Sequence, residues 1–174
     1  EPLKILSPFA GEHQIRNIAT AVTSVKKLVF FKDEHIRTGI EKTKENSGIR
    51  GRIELIRNNP PFVIDSAHNP EALETLSDTL IKCFGENTEW SVLFASMNDK
   101  DLSKMLKAIK PLCRQLIITK PQNERSLEPD HISSAAGRLG FKNIILSEQP
   151  QEAAALVFRQ YTPSLVCGSF FLLG

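Results

Sequence analysis

The chain has 174 residues, 22 Lys plus Arg against 20 Asp plus Glu for a net charge of +2, and a hydrophobic share of 41%. This suits a soluble globular protein of one domain, or one domain plus a piece of another, able to bury about two-thirds of its unfolded surface. The charge leaves no footprint for nucleic acid, and apolar runs such as Leu28 to Phe31 fall far short of the roughly 20 residues a membrane helix needs, so neither is an expected partner.

The charge balance also holds by segment: residues 1–50 carry 9 basic and 6 acidic groups and the remainder 13 and 14, so neither part is a basic arm. Cys83, Cys113 and Cys167 form no CxxC pair and leave one over in any disulfide scheme. They read as reduced thiols of a cytoplasmic protein. No basic-then-apolar leader opens the chain. It starts at Glu1 rather than Met, which reads as a fragment of something longer.

In chain order, Ile15, Ile18, Ala19, Val22, Val25, Leu28 and Val29 recur at three- and four-residue steps and predict an amphipathic helix over 13–30. A more polar helix fits Asp33 to Lys44, with Asp33 as N-cap. Glu45-Asn-Ser-Gly48 contains no apolar residue and is the best linker candidate. Then the grammar changes. Ile53–Ile56 and Phe62–Ile64 read as short strands around the turn Asn58-Asn-Pro-Pro61, followed by a helix carrying Leu73, Leu76, Leu80 and Phe84. Strands over 91–95, 116–119, 143–146 and 165–167 alternate with helices marked by Leu102 to Leu112, Ile132 to Leu139 and Glu152 to Arg159. Alternation of this kind means crossover units and a largely parallel sheet covered by helices on both faces. From Arg50 onward the chain reads as a doubly wound α/β domain of about 125 residues.

Ligands of such sheets bind beyond the carboxyl ends of the strands. Four segments lie there: Asp65-Ser-Ala-His-Asn-Pro70, Ser96-Met-Asn-Asp-Lys-Asp101, Thr119-Lys-Pro121 and Gly168-Ser169. Asn69 and Pro70 read as N-cap and first residue of a helix whose exposed N–H groups could hold a carboxylate or phosphate. Asp65 could accept two hydroxyls, as in ribose recognition, and His68 could donate to an anion; a turn cap and a satisfied loop histidine are the alternative. Asp101 reads as a helix cap, with Asp99 and Lys100 in the loop. Lys120 and Arg125 could face an anionic ligand, but a solvated surface explains them better. Capping and packing would explain His13, Gln14 and Asn17 near the start of the first helix, and His35 and His131 read as surface residues. No GxGxxG follows a strand, no His or Cys pair has metal-ligand spacing, and neither GxSxG nor a Ser/His/Asp order occurs.

In register along the chain stand Gly11-Glu-His-Gln-Ile-Arg-Asn17 with Ile-Ala-Thr-Ala, Gly51-Arg52, Asp65-Ser-Ala-His-Asn-Pro70, Asn98-Asp-Lys-Asp101 and Val166-Cys-Gly-Ser-Phe170. Together they resemble the C-terminal half of the folylpolyglutamate and dihydrofolate synthases of the Mur ligase superfamily. The resemblance covers the whole chain, and the Asp-x-Ala-His-Asn-Pro element with an arginine thirteen residues before its Asp is its most specific part. It implies a Rossmann-like ligase domain over residues 48–174, preceded over residues 1–47 by the helical tail of an ATPase domain. No GxxxxGK[ST] is present, so the chain alone is expected to be inactive.

The reaction so implied is ATP-dependent amide ligation in a monomeric cytoplasmic enzyme. A carboxylate of dihydropteroate or folate is phosphorylated, and the amine of L-glutamate displaces the phosphate, with Mg²⁺ clamping the phosphates through ligands mostly outside this chain. By the same resemblance Asp65 would accept ribose hydroxyls, Arg52 would reach the phosphates or pair with the acyl phosphate, and Asn17 would contact the adenine. His68 would be the histidine needed for activity, and Asn69 and Ser169 would help hold the glutamate carboxylates. Ser66 stands where the family often has glycine.

Overall fold

The computed structural model describes residues 3–28 and 30–173, and the chain divides into two compact units, Glu1–Glu54 and Leu55–Gly174. Among the described residues no helix is long and apolar enough to cross a membrane.

The first unit is helical: α1 (Glu12–Val25), α2 (Asp33–Glu41) and α3 (Thr43–Ser47). The apolar stripe predicts a longer first helix, but after Val25 the amides of Lys27 and Leu28 turn back to the carbonyls of Ser24 and Val25. These tighter bonds close the last turn and leave Leu28 half exposed; Val29 lies outside the described residues. The expected linker at 45–48 is corrected as well. It forms the end of α3, where Gly48 takes the left-handed conformation (φ 64°) and returns its N–H to Lys44, a glycine helix stop rather than a flexible joint.

The second unit is an α/β sheet. Its strands are β1 (Glu54–Asn58), β2 (Pro61–Ile64), β3 (Trp90–Phe94), β4 (Cys113–Ile118), β5 (Ile144–Leu146) and β6 (Ser164–Cys167), in the order β1-β2-β6-β3-β4-β5. β2 and β3 both pair with β6 in parallel, and β4 pairs in parallel with β3 and β5. The helices between them are α4 (Pro70–Phe84), α5 (Leu102–Ile109), α6 (Pro129–Arg138) and α7 (Pro150–Arg159). Three of them carry proline in the first turn, where the missing N–H costs nothing; each therefore begins before its apolar periodicity does.

Side-chain alternation sorts the sheet into two buried faces. Phe62, Leu93, Ile117 and Val166 meet Ala153 and Val157 of α7, while Val63, Val92, Phe94, Leu116, Ile118 and Leu165 point the other way and are also buried. That second face belongs to α4, α5 and α6, which neighbour one another in that order. The reason is handedness. The chain steps from β2 through β3 and β4 to β5 in one direction, placing those crossover helices on one side, and then reverses to insert β6, placing α7 on the other.

Candidate functional site

That reversal makes a switch point. β6 enters between β2 and β3, so the carboxyl ends of β2, β6, β3 and β4 stand side by side, where a doubly wound sheet leaves a crevice.

The loop after β2 is held by its own polar side chains. Asp65 still donates its N–H to the Val166 carbonyl at 2.9 Å, as the last rung of the ladder. One carboxylate oxygen then accepts the Ala67 N–H at 2.7 Å, an Asx turn, and the side chain is only 8% exposed. Asn69 caps α4, its Oδ1 taking the Ala72 N–H at 2.8 Å. His68 is exposed, with Nδ1 2.9 Å from the Ser66 carbonyl oxygen. A carbonyl only accepts, so Nδ1 carries a proton and Nε2 is the ring nitrogen left facing outward for a ligand.

The loop after β6 is tied to this one, because Gly168 donates its N–H to the Ala67 carbonyl at 2.8 Å. Ser169 is 1% exposed, and its hydroxyl accepts the Phe171 N–H at 3.2 Å. It thereby caps a 3₁₀ turn over Phe170–Leu172, the backbone-bonded role open to a strand-end serine.

The loops after β3 and β4 are stitched together. Met97 and Ser126 form an antiparallel bridge, Asn98 donates to the Arg125 carbonyl at 2.8 Å, and Leu127 donates to the Ser96 carbonyl at 2.9 Å. Asp101 caps α5 through the Lys104 N–H at 3.0 Å. Lys100 lies 2.8 Å from the Asp99 carboxylate. That hydrogen bond, more than the further pull of Lys100 and Arg125 as charges, holds the Asp99 carboxyl below the usual range.

These four loops enclose one hollow of about 180 Å³ lined by His68, Met97, Asp99, Lys100, Arg125, Ser169, Phe170 and Phe171. With Asp99 answering Lys100, Arg125 contributes a net positive charge beside the His68 ring. An anion with hydrogen-bond acceptors, above all a carboxylate, suits such a lining.

The site residues read from sequence thus separate. His68 and Ser169 share the hollow. Asp65 and Asn69 do not line it and make local caps in the loop that carries His68. Asn17 and Arg52 belong to the first unit. There Asn17 donates to the Gln14 side chain at 3.2 Å, and Gln14 to His13 Nε2 at 3.0 Å. Arg52 is exposed between the left-handed Gly51 and Ile53, in a bend whose Gly51 N–H binds the Glu54 carboxylate at 2.8 Å. Arg125, which from sequence reads better as a solvated surface residue, is a wall of the hollow, whereas Lys120 pairs with Glu128 outside its lining. Only the bridge between the two loops reveals this, and no local pattern announces it. Among the described residues no group of three His, Cys, Asp or Glu side chains could hold a metal ion.

Residues 51–170 match the model of the Mur ligase glutamate ligase domain. The chain is similar to a Mycobacterium tuberculosis dihydrofolate synthase/folylpolyglutamate synthase, 30% identical over 86% of this chain and 31% of that protein. It is also similar to a Helicobacter pylori UDP-N-acetylmuramoyl-L-alanyl-D-glutamate–2,6-diaminopimelate ligase, 27% identical over 90% of this chain and 34% of that protein. Its fold superposes on the crystal structure of Mycobacterium tuberculosis folylpolyglutamate synthase complexed with ADP and AMPPCP at a TM-score of 0.82, with 25% identity over 97% of this chain and 40% of that one. The chain spans 16% to 34% of the length of the first curated relatives it matches.

Proposed function

From the premise that the chain belongs to the Mur ligase family as its glutamate ligase domain, we propose that it is the amino-acid-binding part of an ATP-dependent folate:glutamate amide ligase. In that reading residues 48–174 are the ligase domain and residues 1–47 the helical tail of an ATPase domain. The whole enzyme phosphorylates a carboxylate of dihydropteroate or of a folyl-glutamate at the expense of ATP. The glutamate amine then attacks the acyl carbon, the C–N bond forms, and phosphate leaves with the amine shedding its proton.

The observation that carries this reading is the hollow in which Arg125, Lys100 and His68 converge at the sheet's switch point. Arg125 and Lys100 would receive the carboxylates of glutamate by charge-assisted hydrogen bonds. His68 would orient the amino acid through Nε2, since its other nitrogen is committed to Ser66. The Asp65 cap holds the loop that presents His68, and the Met97–Ser126 bridge holds the two loops that present Lys100 and Arg125, so the geometry is set before substrate arrives. On the nucleotide side Asp65 and Arg52 remain the residues proposed for ribose and phosphate, with Asn17 for the adenine. Mg²⁺ is expected with the nucleotide through ligands mostly outside this chain, since among the described residues no three His, Cys, Asp or Glu side chains group to hold a metal ion.

The test is ligation by the full-length protein with ATP, glutamate and either dihydropteroate or folyl-glutamate. His68→Ala should cut turnover at least tenfold, with the folded state unaffected because the ring is exposed. Wild-type turnover by that variant overturns the assignment. The similarity to the diaminopimelate-adding ligase supports a second reading, amino-acid addition to a UDP-linked cell-wall precursor. Turnover of such a precursor, and not of dihydropteroate or folyl-glutamate, would establish it instead.

A further inference from the structure

Phe170 is 64% exposed and Phe171 44% exposed, yet both rings border the same hollow as His68 and Arg125. The chain holds this apolar surface in place against solvent with some care. Gly168, at φ 97°, starts the turn where a Cβ would strike the Ala95 carbonyl oxygen and the Phe94 ring. The buried Ser169 hydroxyl takes the Phe171 N–H, and the amides of Leu172 and Leu173 return to Ser169 and Phe170 at 3.2 and 3.1 Å. Leu172 and Leu173 in turn pack against the core under α7. The two rings meet edge to face, centroids 6.4 Å apart at 80°, which leaves ring surface open for a planar guest.

Resting on the amide-ligase reading above, we propose that Phe170 and Phe171 form the wall on which the aryl ring of an arenecarboxylate acyl donor lies. In such a donor the reacting carbon is bonded directly to the ring, so the ring must sit next to the amino acid bound by Arg125 and Lys100. When the carboxylate ends an aliphatic glutamyl arm, the ring is held several bonds away from that place. The aromatic pair is therefore a specificity determinant. It favours ligation onto the aryl carboxylate over extension of an existing glutamyl chain, because offset or edge-on ring contacts reward only a ring that reaches it.

Steady-state kinetics of the full-length protein test this, with dihydropteroate as the arenecarboxylate donor and folyl-glutamate as the aliphatic one. Phe170→Ala should raise the KM for dihydropteroate about three- to tenfold, with the KM values for glutamate, ATP and folyl-glutamate unchanged. Phe170→Tyr, which keeps the ring, should restore the wild-type KM. Equal changes for both donors, a rise in the KM for ATP alone, or no change in any constant would overturn the proposal while leaving the ligase reading intact. A wild-type enzyme that ligates neither donor would overturn both.

Discussion

A Cβ placed on Gly168 would lie 2.3 Å from the carbonyl oxygen of Ala95. The glycine sits where β6 passes into the loop beside the hollow, in a left-handed conformation, and the same Cβ would come within 2.6 Å of the Phe94 ring. Close approach and positive φ both forbid a side chain there. Gly168→Ala should therefore destabilise the protein by about 3 kcal/mol or more, read as a lowered midpoint in urea. A change within about 0.5 kcal/mol would show that the strand end has room to move.

Arg57 serves stability rather than the site. Its guanidinium donates to the carbonyls of Pro60 at 2.9 Å and of Phe158 and Gln160 at 3.3 Å each, and lies within 6 Å of the Phe62, Phe158 and Tyr161 rings. One cation thus fastens the carboxyl end of α7 to the β1–β2 turn, where helix carbonyls welcome positive charge. Arg57→Ala should cost about 1–3 kcal/mol, and Arg57→Lys should recover only part of it because the fork of donors is lost. Equal denaturation midpoints for all three proteins would contradict this role.

The three thiols should differ sharply. Cys83 is exposed and Cys167 buried. Burial pushes the Cys113 thiol up to about 12, and burial, with the Asp65 carboxylate adding to it, pushes Cys167 well above its ordinary value. The thiolate is the reactive form. At pH 8 a colorimetric disulfide reagent should consume one thiol quickly in the folded protein and three in denaturant. Rapid loss of two or more under native conditions would refute the burial.

Asp99 makes a pH prediction. Its carboxyl is held below the usual value of 3.8, chiefly by the hydrogen bond from Lys100. A depressed folded value means the pair's contribution is present above the unfolded-chain value and lost as the pH falls through the folded one. Asp99 should stay ionised throughout pH 5–8. An NMR carboxyl titration should place its midpoint below that of an unfolded-chain aspartate, and Lys100→Ala should move it back up. A midpoint above 3.8 in the wild-type protein would contradict the pairing.

Much of the fold is legible from period alone. The buried helices and most strand residues of the second unit follow their apolar spacing, and Asn69 and Asp101 cap where their residue types predict. What escapes is set by contacts distant in sequence. The first half of β4, Cys113–Gln115, is too polar to read as a strand, and extends because it pairs with Trp90 and Ser91. The insertion of β6 between β2 and β3 leaves no trace in local pattern, and Phe170–Leu172 has no period to betray its 3₁₀ turn. The site follows the same division. His68 and Ser169 stand out as residues at strand ends, whereas Arg125 joins them only through the Met97–Ser126 bridge between two loops.

The proposed seat of the incoming amino acid's carboxylates in the hollow is tested most directly by the KM for glutamate in the full-length protein. Arg125→Ala should raise that KM about ten- to a hundredfold, the worth of a charge-assisted hydrogen bond. The KM for ATP and the denaturation midpoint should hold steady. An unchanged glutamate KM in a folded, active Arg125→Ala enzyme would contradict the account.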